Sequence, residues 1–208
     1  MDGQAVGRTL EKDDGVEQFR PPHPRLTLLT SDKEWPCSGV VGRYIRDCHV
    51  NCEVERVWQT VKGDVTEWFS GRPEEQFTPH PRVLIATLGI GRSVVAGSYL
   101  LYQLLHCDAE QLPMVAHFMV SGTYLLEKTA RTVSEYMGES SFVKVLKGLP
   151  RRGVKGFIVY DVAEPDNRLS TCLSSLEWGM LVVTTPEAKI HGHWASERRA
   201  ARICDGLS

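Results

Sequence analysis

Apolar residues recur at steps of three and four between positions 51 and 70, which is the spacing of one face of an α-helix. The stripe consists of Val54, Val57, Trp58, Val61, Val65, Trp68 and Phe69. Most other positions are polar or charged, so the pattern predicts an amphipathic helix that is weakened at Gly63. Gly71 and Pro73 end the pattern, and the polar stretch that follows predicts a domain boundary near residue 75.

Beyond Pro81 the chain changes to short, almost continuously apolar runs that predict β-strands. These runs cover residues 82–86, 114–120, 156–160 and 180–183. Strands that are apolar on both faces are typical of a parallel sheet covered by helices. The sequence therefore predicts an α/β fold with a mostly parallel sheet flanked by helices and preceded by a helical segment.

The segments between these strands predict the covering elements. Apolar positions at helical spacing predict helices at 93–105 and 142–146, and 194–203 is interpreted as the last helix. Two apolar runs around a polar turn predict a β-hairpin within 124–136. Only about 24 residues follow the fourth strand, so we expect no further strand, an incomplete sheet and a truncated chain.

Composition and periodicity together divide the chain into a tail, a helical segment and a domain. The 208 residues are 42% hydrophobic, which is enough for a globular core. Residues 1–26 show no periodicity and end in a proline-rich stretch, which predicts a flexible tail. We expect an N-terminal helical segment at 27–75 and the α/β domain at 81–205.

The charge balance and the length of the apolar runs limit the classes of binding partner that we expect. Lys and Arg number 24 against 26 Asp and Glu, so the net charge of -2 gives no overall attraction to nucleic acid or acidic membranes. No apolar run approaches the roughly 20 residues that span a bilayer, and the first residues lack a secretion signal. We therefore expect no membrane partner, no secretion and no direct nucleic-acid binding. One basic run keeps the nucleic-acid hypothesis open: Lys144, Lys147, Arg151, Arg152 and Lys155.

Residues 86–93 carry the clearest chemical signal, because they lie between the first predicted strand and its helix. Backbone N–H groups at such a helix start bind phosphate, and the usual pattern there is G-x-x-x-x-G-K-[ST]. In that pattern the Lys contacts phosphates and the hydroxyl binds Mg²⁺. Here Gly91 and Ser93 match, while Ala86 replaces the first Gly and Arg92 replaces the Lys. We expect Arg92 to supply charge but to fit poorly where a compact ammonium belongs.

A second element of the predicted site is Asp161, which ends an apolar strand. A carboxylate at the carboxyl end of a buried strand can face the ligand crevice of an open α/β sheet and hold Mg²⁺. Thr184 or Thr185 offers a hydroxyl for a γ-phosphate, although both also read as ordinary strand residues. Val162 follows Asp161, and Glu164 lies too far along to serve as a base, so no catalytic residue is assigned.

Several long segments of the sequence resemble segments of the retrotransposon hot spot proteins of parasitic protozoa. They include RDCHVNCEVERVW (46–58), GSYLLYQLLH (97–106) and RGVKG (152–156). Members of this multigene family look like P-loop NTPases with a G-T-P-G-I-G-K-S loop. The chain keeps Thr87, Gly89, Ile90, Gly91 and Ser93 of that loop but has Ala86, Leu88 and Arg92 at the other positions.

The resemblance and the altered loop together define the expected function. We expect a degenerate phosphate-binding loop at Thr87 and 89–93 that binds ATP or GTP weakly, with Mg²⁺ held by Ser93 and Asp161 and with little or no hydrolysis. The resemblance also implies a nuclear or perinuclear protein, with the cytoplasm as the other compartment. The alternatives are an inert nuclear interaction module that contacts chromatin or nuclear proteins, using the Trp58 and Trp68 helix, and a pseudogene-derived fragment.

Overall fold

The computed structural model describes residues 27–30, 32, 46–50, 52–70, 81–85, 97–119, 122–161, 173, 177–184 and 200–204. Within these ranges the strands are β1 (Thr27–Thr30), β2 (Asp47–Val50), β3 (Arg82–Ile85), β4 (Met114–Met119), β5 (Gly122–Glu127), β6 (Thr132–Tyr136), β7 (Gly156–Asp161), β8 (Gly179–Thr184) and β9 (Ala201–Cys204). The helices are α1 (Cys52–Ser70), α2 (Ser98–His106), α3 (Glu139–Gly148) and a short 3-10 helix, Pro150–Arg152.

Seven of the strands form one mixed sheet in the order β6-β5-β4-β7-β8-β3-β9. The five strands β4, β7, β8, β3 and β9 run parallel to one another, and β5 and β6 add an antiparallel hairpin at one edge. The predicted α/β class and the mostly parallel sheet are therefore confirmed. Strands β1 and β2 form a separate antiparallel pair that the sequence pattern did not indicate.

The central strands β7 and β8 are buried along their whole length, which explains why their sequences are apolar at successive positions. One face of the sheet, bearing Val115, Phe157 and Val159, packs against α1 and α2. We call it the α2 face. The opposite face, bearing Ile158 and Met180, packs against α3 and is called the α3 face.

The predicted amphipathic helix is confirmed as α1, and its apolar stripe is buried on the α2 face. Trp58 and Trp68 keep only 5% and 6% of their surface exposed. Two polar contacts add to this packing: Arg82 donates two hydrogen bonds to Asp64, of 2.7 and 2.6 Å, and Tyr99 donates one to Glu55 on the same helix. The tryptophan stripe is therefore core, which argues against the alternative in which Trp58 and Trp68 offer a surface to a partner.

The end of the chain departs from the sequence expectation. Residues 201–203, interpreted as part of a last helix, belong instead to β9, which pairs in parallel with β3. The expectation of no further strand was wrong, because β9 extends the sheet beyond β3. Ala and Arg favour helices in isolation, but pairing with a neighbouring strand outweighs that local preference. The rest of the predicted helix, 194–199, lies outside the described residues.

The other predicted elements agree with the structure, with small shifts at their ends. The predicted hairpin is β5 and β6, the helix at 142–146 is part of α3, and the strand at 114–120 is β4. The predicted helix at 93–105 corresponds to α2 from residue 98 onward. No helix in the described ranges is both long and apolar enough to cross a lipid bilayer.

His117 lies in the middle of β4 and is buried on the α2 face. Only 1% of its surface is exposed, and its Nε2 has no hydrogen-bond partner within the described part of the chain. Burial lowers the pKa of His117 from 6.5 to about 4. The ring is therefore uncharged at neutral pH, because a charged imidazole would lose its hydration without gaining a counter-ion.

Two glycines in the sheet allow close contact with aromatic rings. A Cβ added to Gly156 would lie 2.6 Å from ring carbons of Trp178, and one added to Gly179 would lie 2.5 Å from Phe157. Trp178 is also fixed by a 2.9 Å hydrogen bond from its Nε1 to the carbonyl of Val154. Neither ring can move away without disturbing a buried core.

We predict opposite effects for the same substitution at two glycines. Gly156→Ala should lower the free energy of unfolding by about 2 kcal/mol, because its methyl group overlaps the Trp178 ring. Gly63→Ala should raise it by about 1 kcal/mol, since Gly63 is an exposed position inside α1 with nothing within 4 Å of an added Cβ. Urea unfolding of both variants measures the difference, and equal stability would contradict the packing described here.

Stability should also fall below neutral pH because of His117. Its pKa is about 4 in the folded state and near 6.5 when unfolded, so the unfolded chain binds more protons in that interval. Its contribution is complete above pH 6.5 and is lost as the pH falls toward 4. We expect about 2 kcal/mol less stability at pH 5 than at pH 7.5 from this group.

The measurement is urea unfolding at both pH values for the wild type and for His117→Gln. The variant cannot take up the proton, so its stability should change less between pH 7.5 and 5. The exposed His106 provides the matched control as His106→Gln, which should keep the wild-type pH dependence. An identical pH dependence in wild type and His117→Gln would contradict the assignment.

Candidate functional site

Three strands of the sheet end side by side at one edge, which we call the carboxyl edge. Strand β8 lies between β3 and β7. The last residue is Ile85 in β3, Thr184 in β8 and Asp161 in β7. Thr184 pairs with Ile85, and Asp161 pairs with Val183, one residue earlier. Two strand spacings, about 10 Å, therefore separate the end of β3 from Asp161.

Asp161 is the predicted metal ligand that the structure places. It is only 7% exposed and follows five buried residues of β7. Side chains alternate along a strand, so Asp161 shares the α2 face with Phe157 and Val159. The carboxyl ends of the strands are where open α/β sheets bind their ligands, and Asp161 is at such an end.

The predicted phosphate loop belongs to the segment that joins Ile85 to Gly97. Its six assigned residues lie outside the described part of the chain: Thr87, Gly89, Ile90, Gly91, Arg92 and Ser93. The elements on both sides of that segment are described. Strand β3 ends at the carboxyl edge, and α2 packs on the same face of the sheet that carries Asp161. The segment therefore connects a strand that ends two positions from β7 with a helix on the face that carries Asp161.

Two buried hydroxyl groups flank this region. Thr184 Oγ1 and Ser98 Oγ are buried, and neither has a hydrogen-bond partner within the ranges that the structure describes. Thr184 ends β8 with 2% exposure on the α3 face, and Ser98 begins α2. A buried hydroxyl without a partner costs stability, which is why such groups often mark a site that a ligand completes. Thr185, the other residue considered, lies outside the described ranges.

The basic side chains of the run that kept the nucleic-acid hypothesis open are all exposed: Lys144, Lys147, Arg151, Arg152 and Lys155. Exposure fits a solvated surface and a nucleic-acid contact alike. Lys155 lies over the rings of Trp68 and Phe69, at 5.4 and 5.1 Å from their centroids, and covers the end of α1. No group of three His, Cys, Asp or Glu residues able to hold a metal occurs among the residues placed by the structure.

One feature of the structure was missed in the sequence. His117 lines a cavity of about 310 Å³ between α2 and the β4-β5-β6 side of the sheet. The signal was a histidine inside the otherwise apolar run 114–120. Apolar periodicity alone could not show that a cavity adjoins it, because the other walls come from three separate elements.

Comparisons with known proteins agree with the two parts of this chain. Residues 83–206 match the model of the retrotransposon hot spot protein P-loop domain, and residues 2–80 match the model of the N-terminal region of the same proteins. No curated protein and no solved structure matches the chain. Since the P-loop domain model alone covers more than half of the sequence, the chain belongs to the retrotransposon hot spot protein family.

Proposed function

We propose that the chain binds a magnesium nucleotide, ATP or GTP, weakly at the carboxyl edge and hydrolyses it slowly or not at all. The observation that carries this proposal is the position of Asp161. It lies two strands from the end of β3 and on the face where α2 packs. A phosphate held at the start of α2 and a metal beside Asp161 would then occupy one crevice.

The residues at this edge fit the group that the family implies. Asp161 supplies a hard oxygen ligand of the type that Mg²⁺ prefers, and Ser93 supplies a hydroxyl at the matching position of the loop. The hydroxyl of Ser98, which has no hydrogen-bond partner among the described residues, adds hydrogen-bonding capacity for phosphate oxygens or for water. A Mg²⁺ ion held by Asp161 and Ser93 would neutralise part of the charge of the phosphate.

The altered loop explains why we propose weak binding. Arg92 carries the positive charge of the usual Lys, but its planar guanidinium needs more room than an ammonium close to the phosphates. Ala86 adds a methyl group where glycine permits close approach of the backbone. Both changes reduce the contacts to phosphate without removing the backbone N–H groups that bind it.

Slow hydrolysis follows from the lack of a positioned base. The residue after Asp161 is Val162, which cannot accept a proton from water. Thr184 ends the neighbouring strand with a hydroxyl on the α3 face, and a hydroxyl is a poor base. The proposal is therefore a nucleotide-binding module in which the carboxylate and loop hold the ligand and no side chain activates water.

We predict saturable binding of fluorescent ATP or GTP to the full chain with Mg²⁺ and at least tenfold weaker binding to Asp161→Asn. Removal of Mg²⁺ with a chelator should bring the wild type to the affinity of the variant. Asp47→Asn, at an exposed aspartate of β2, is the matched control and should bind like the wild type. No saturation up to millimolar nucleotide, or equal affinity in wild type and Asp161→Asn, would reject the proposal.

Restoring the loop should strengthen the interaction. The double variant Ala86→Gly with Arg92→Lys recovers the backbone approach and the compact ammonium, so we expect its nucleotide affinity to rise by about tenfold. The same fluorescence titration measures the change, and its folding is checked by urea unfolding. Unchanged affinity in the folded double variant would show that residues 86–92 do not contact phosphate.

A further inference from the structure

A cavity of about 310 Å³ lies on the α2 face, away from β3. Its walls are Leu101 of α2, His117 of β4, Tyr124 and Leu126 of β5, and Val133 of β6. Val133 is 62% exposed, so the cavity opens toward solvent at the edge strand, whereas Leu101 and His117 close its inner end. Four elements of secondary structure thus enclose a space large enough for a small molecule.

The cavity walls are held in place by polar contacts outside the cavity. Lys128, in the turn between β5 and β6, donates hydrogen bonds to the carbonyls of Leu104 and Cys107 at 3.0 and 2.6 Å. These carbonyls belong to the last turn of α2 and to the residue that follows it. The hairpin is therefore tied to the helix, and the space between them does not depend on a ligand for its shape.

His117 is the polar group at the inner end of this cavity. Its Nε2 has no hydrogen-bond partner among the residues placed by the structure, although the side chain is 99% buried in an apolar core. Tyr124, directly opposite His117 in the sheet, donates its hydroxyl to Glu135 at 3.2 Å and presents an aromatic ring beside it. A buried nitrogen without a partner carries a desolvation cost that a ligand with a hydrogen-bonding group would relieve.

The chemistry of the walls selects the class of ligand. Aliphatic and aromatic side chains form most of the lining, which favours an apolar molecule. His117 is uncharged at neutral pH because burial lowers its pKa to about 4, so it offers a hydrogen bond but no charge to an anion. The volume of 310 Å³ is about twice that of a cavity of about 150 Å³ that holds benzene, which corresponds to one or two rings.

We propose that this cavity binds a small, uncharged, largely apolar molecule of one or two rings with one hydrogen-bonding group that contacts His117. The site is separate from the proposed nucleotide site. His117 pairs with Val159, two residues before Asp161, so the Cα atoms of His117 and Asp161 are about 8 Å apart on neighbouring strands. The proposal does not require that the carboxyl edge bind nucleotide.

The probe is 2-naphthol, which is uncharged at pH 7.5 and carries one hydroxyl on two rings, and 2-naphthoate is its charged counterpart. Calorimetric titration of the full chain should show saturable binding of 2-naphthol below about 1 mM. Binding of 2-naphthoate should be at least tenfold weaker, because its carboxylate would be desolvated without a positive partner. Absence of saturable 2-naphthol binding, or equal affinity for the two compounds, would overturn the proposal.

His117→Leu removes the hydrogen-bonding nitrogen and should weaken 2-naphthol binding about fivefold. The control is His106→Leu, at an exposed histidine of α2, which should bind like the wild type. Leu126→Trp fills the cavity from a half-buried wall position and should abolish binding, so it decides the question if His117→Leu does not fold. Wild-type affinity in folded Leu126→Trp would overturn the proposal.

A competition experiment separates this cavity from the nucleotide site. Magnesium ATP added at saturation should leave 2-naphthol bound, since the proposed ligands occupy different residues. Displacement of 2-naphthol by magnesium ATP, at the concentration that saturates the nucleotide site, would show a single shared site and overturn the proposal. A chain that binds 2-naphthol but not ATP would support the cavity and reject the nucleotide proposal, so the two failures are distinguishable.

Discussion

The pairing of β7 with β8 is the interaction on which the rest of the structure depends. Both strands are buried on both faces, so their backbone groups are satisfied by hydrogen bonds within the sheet. Gly156 of β7 lies against the Trp178 ring, and Gly179 of β8 lies against the Phe157 ring. A side chain at either glycine would not fit unless its neighbour shifted. This pairing fixes the register of the two strands. The register places their last residues, Asp161 and Thr184, at the same carboxyl edge.

Polar residues are few in this core, and their positions are informative. Within the described ranges the buried polar side chains are Ser98, His117, Thr123, Asp161 and Thr184. Two of them end strands at the carboxyl edge and one begins the helix beside it, whereas His117 lies at the inner end of a cavity. A buried polar group costs free energy unless it is hydrogen-bonded, so these positions are the ones at which we propose ligands.

Membership of the retrotransposon hot spot family and the changes in the loop bear on two different properties of the chain. The P-loop domain matched at 83–206 accounts for the chain's family, while Ala86 and Arg92 bear only on the proposed strength of phosphate binding. A fold can persist when its site weakens, because the described residues of β7, β8, α1 and α2 form a buried cluster of their own. The proposed weak nucleotide binding and the separate cavity both rest on that scaffold.

The sequence by itself determined the local elements and the candidate chemistry. The three- and four-residue spacing encoded α1, continuous apolar runs encoded the central strands, and Asp161 was identifiable as the end of one of them. Only the tertiary structure decided which strands are neighbours, that 201–204 pair with β3, and that the tryptophans of α1 face the sheet. Periodicity specifies which side of a helix or strand is apolar, but contacts between residues distant in sequence decide which other element covers that side. The cavity at His117 likewise exists only where four such elements meet.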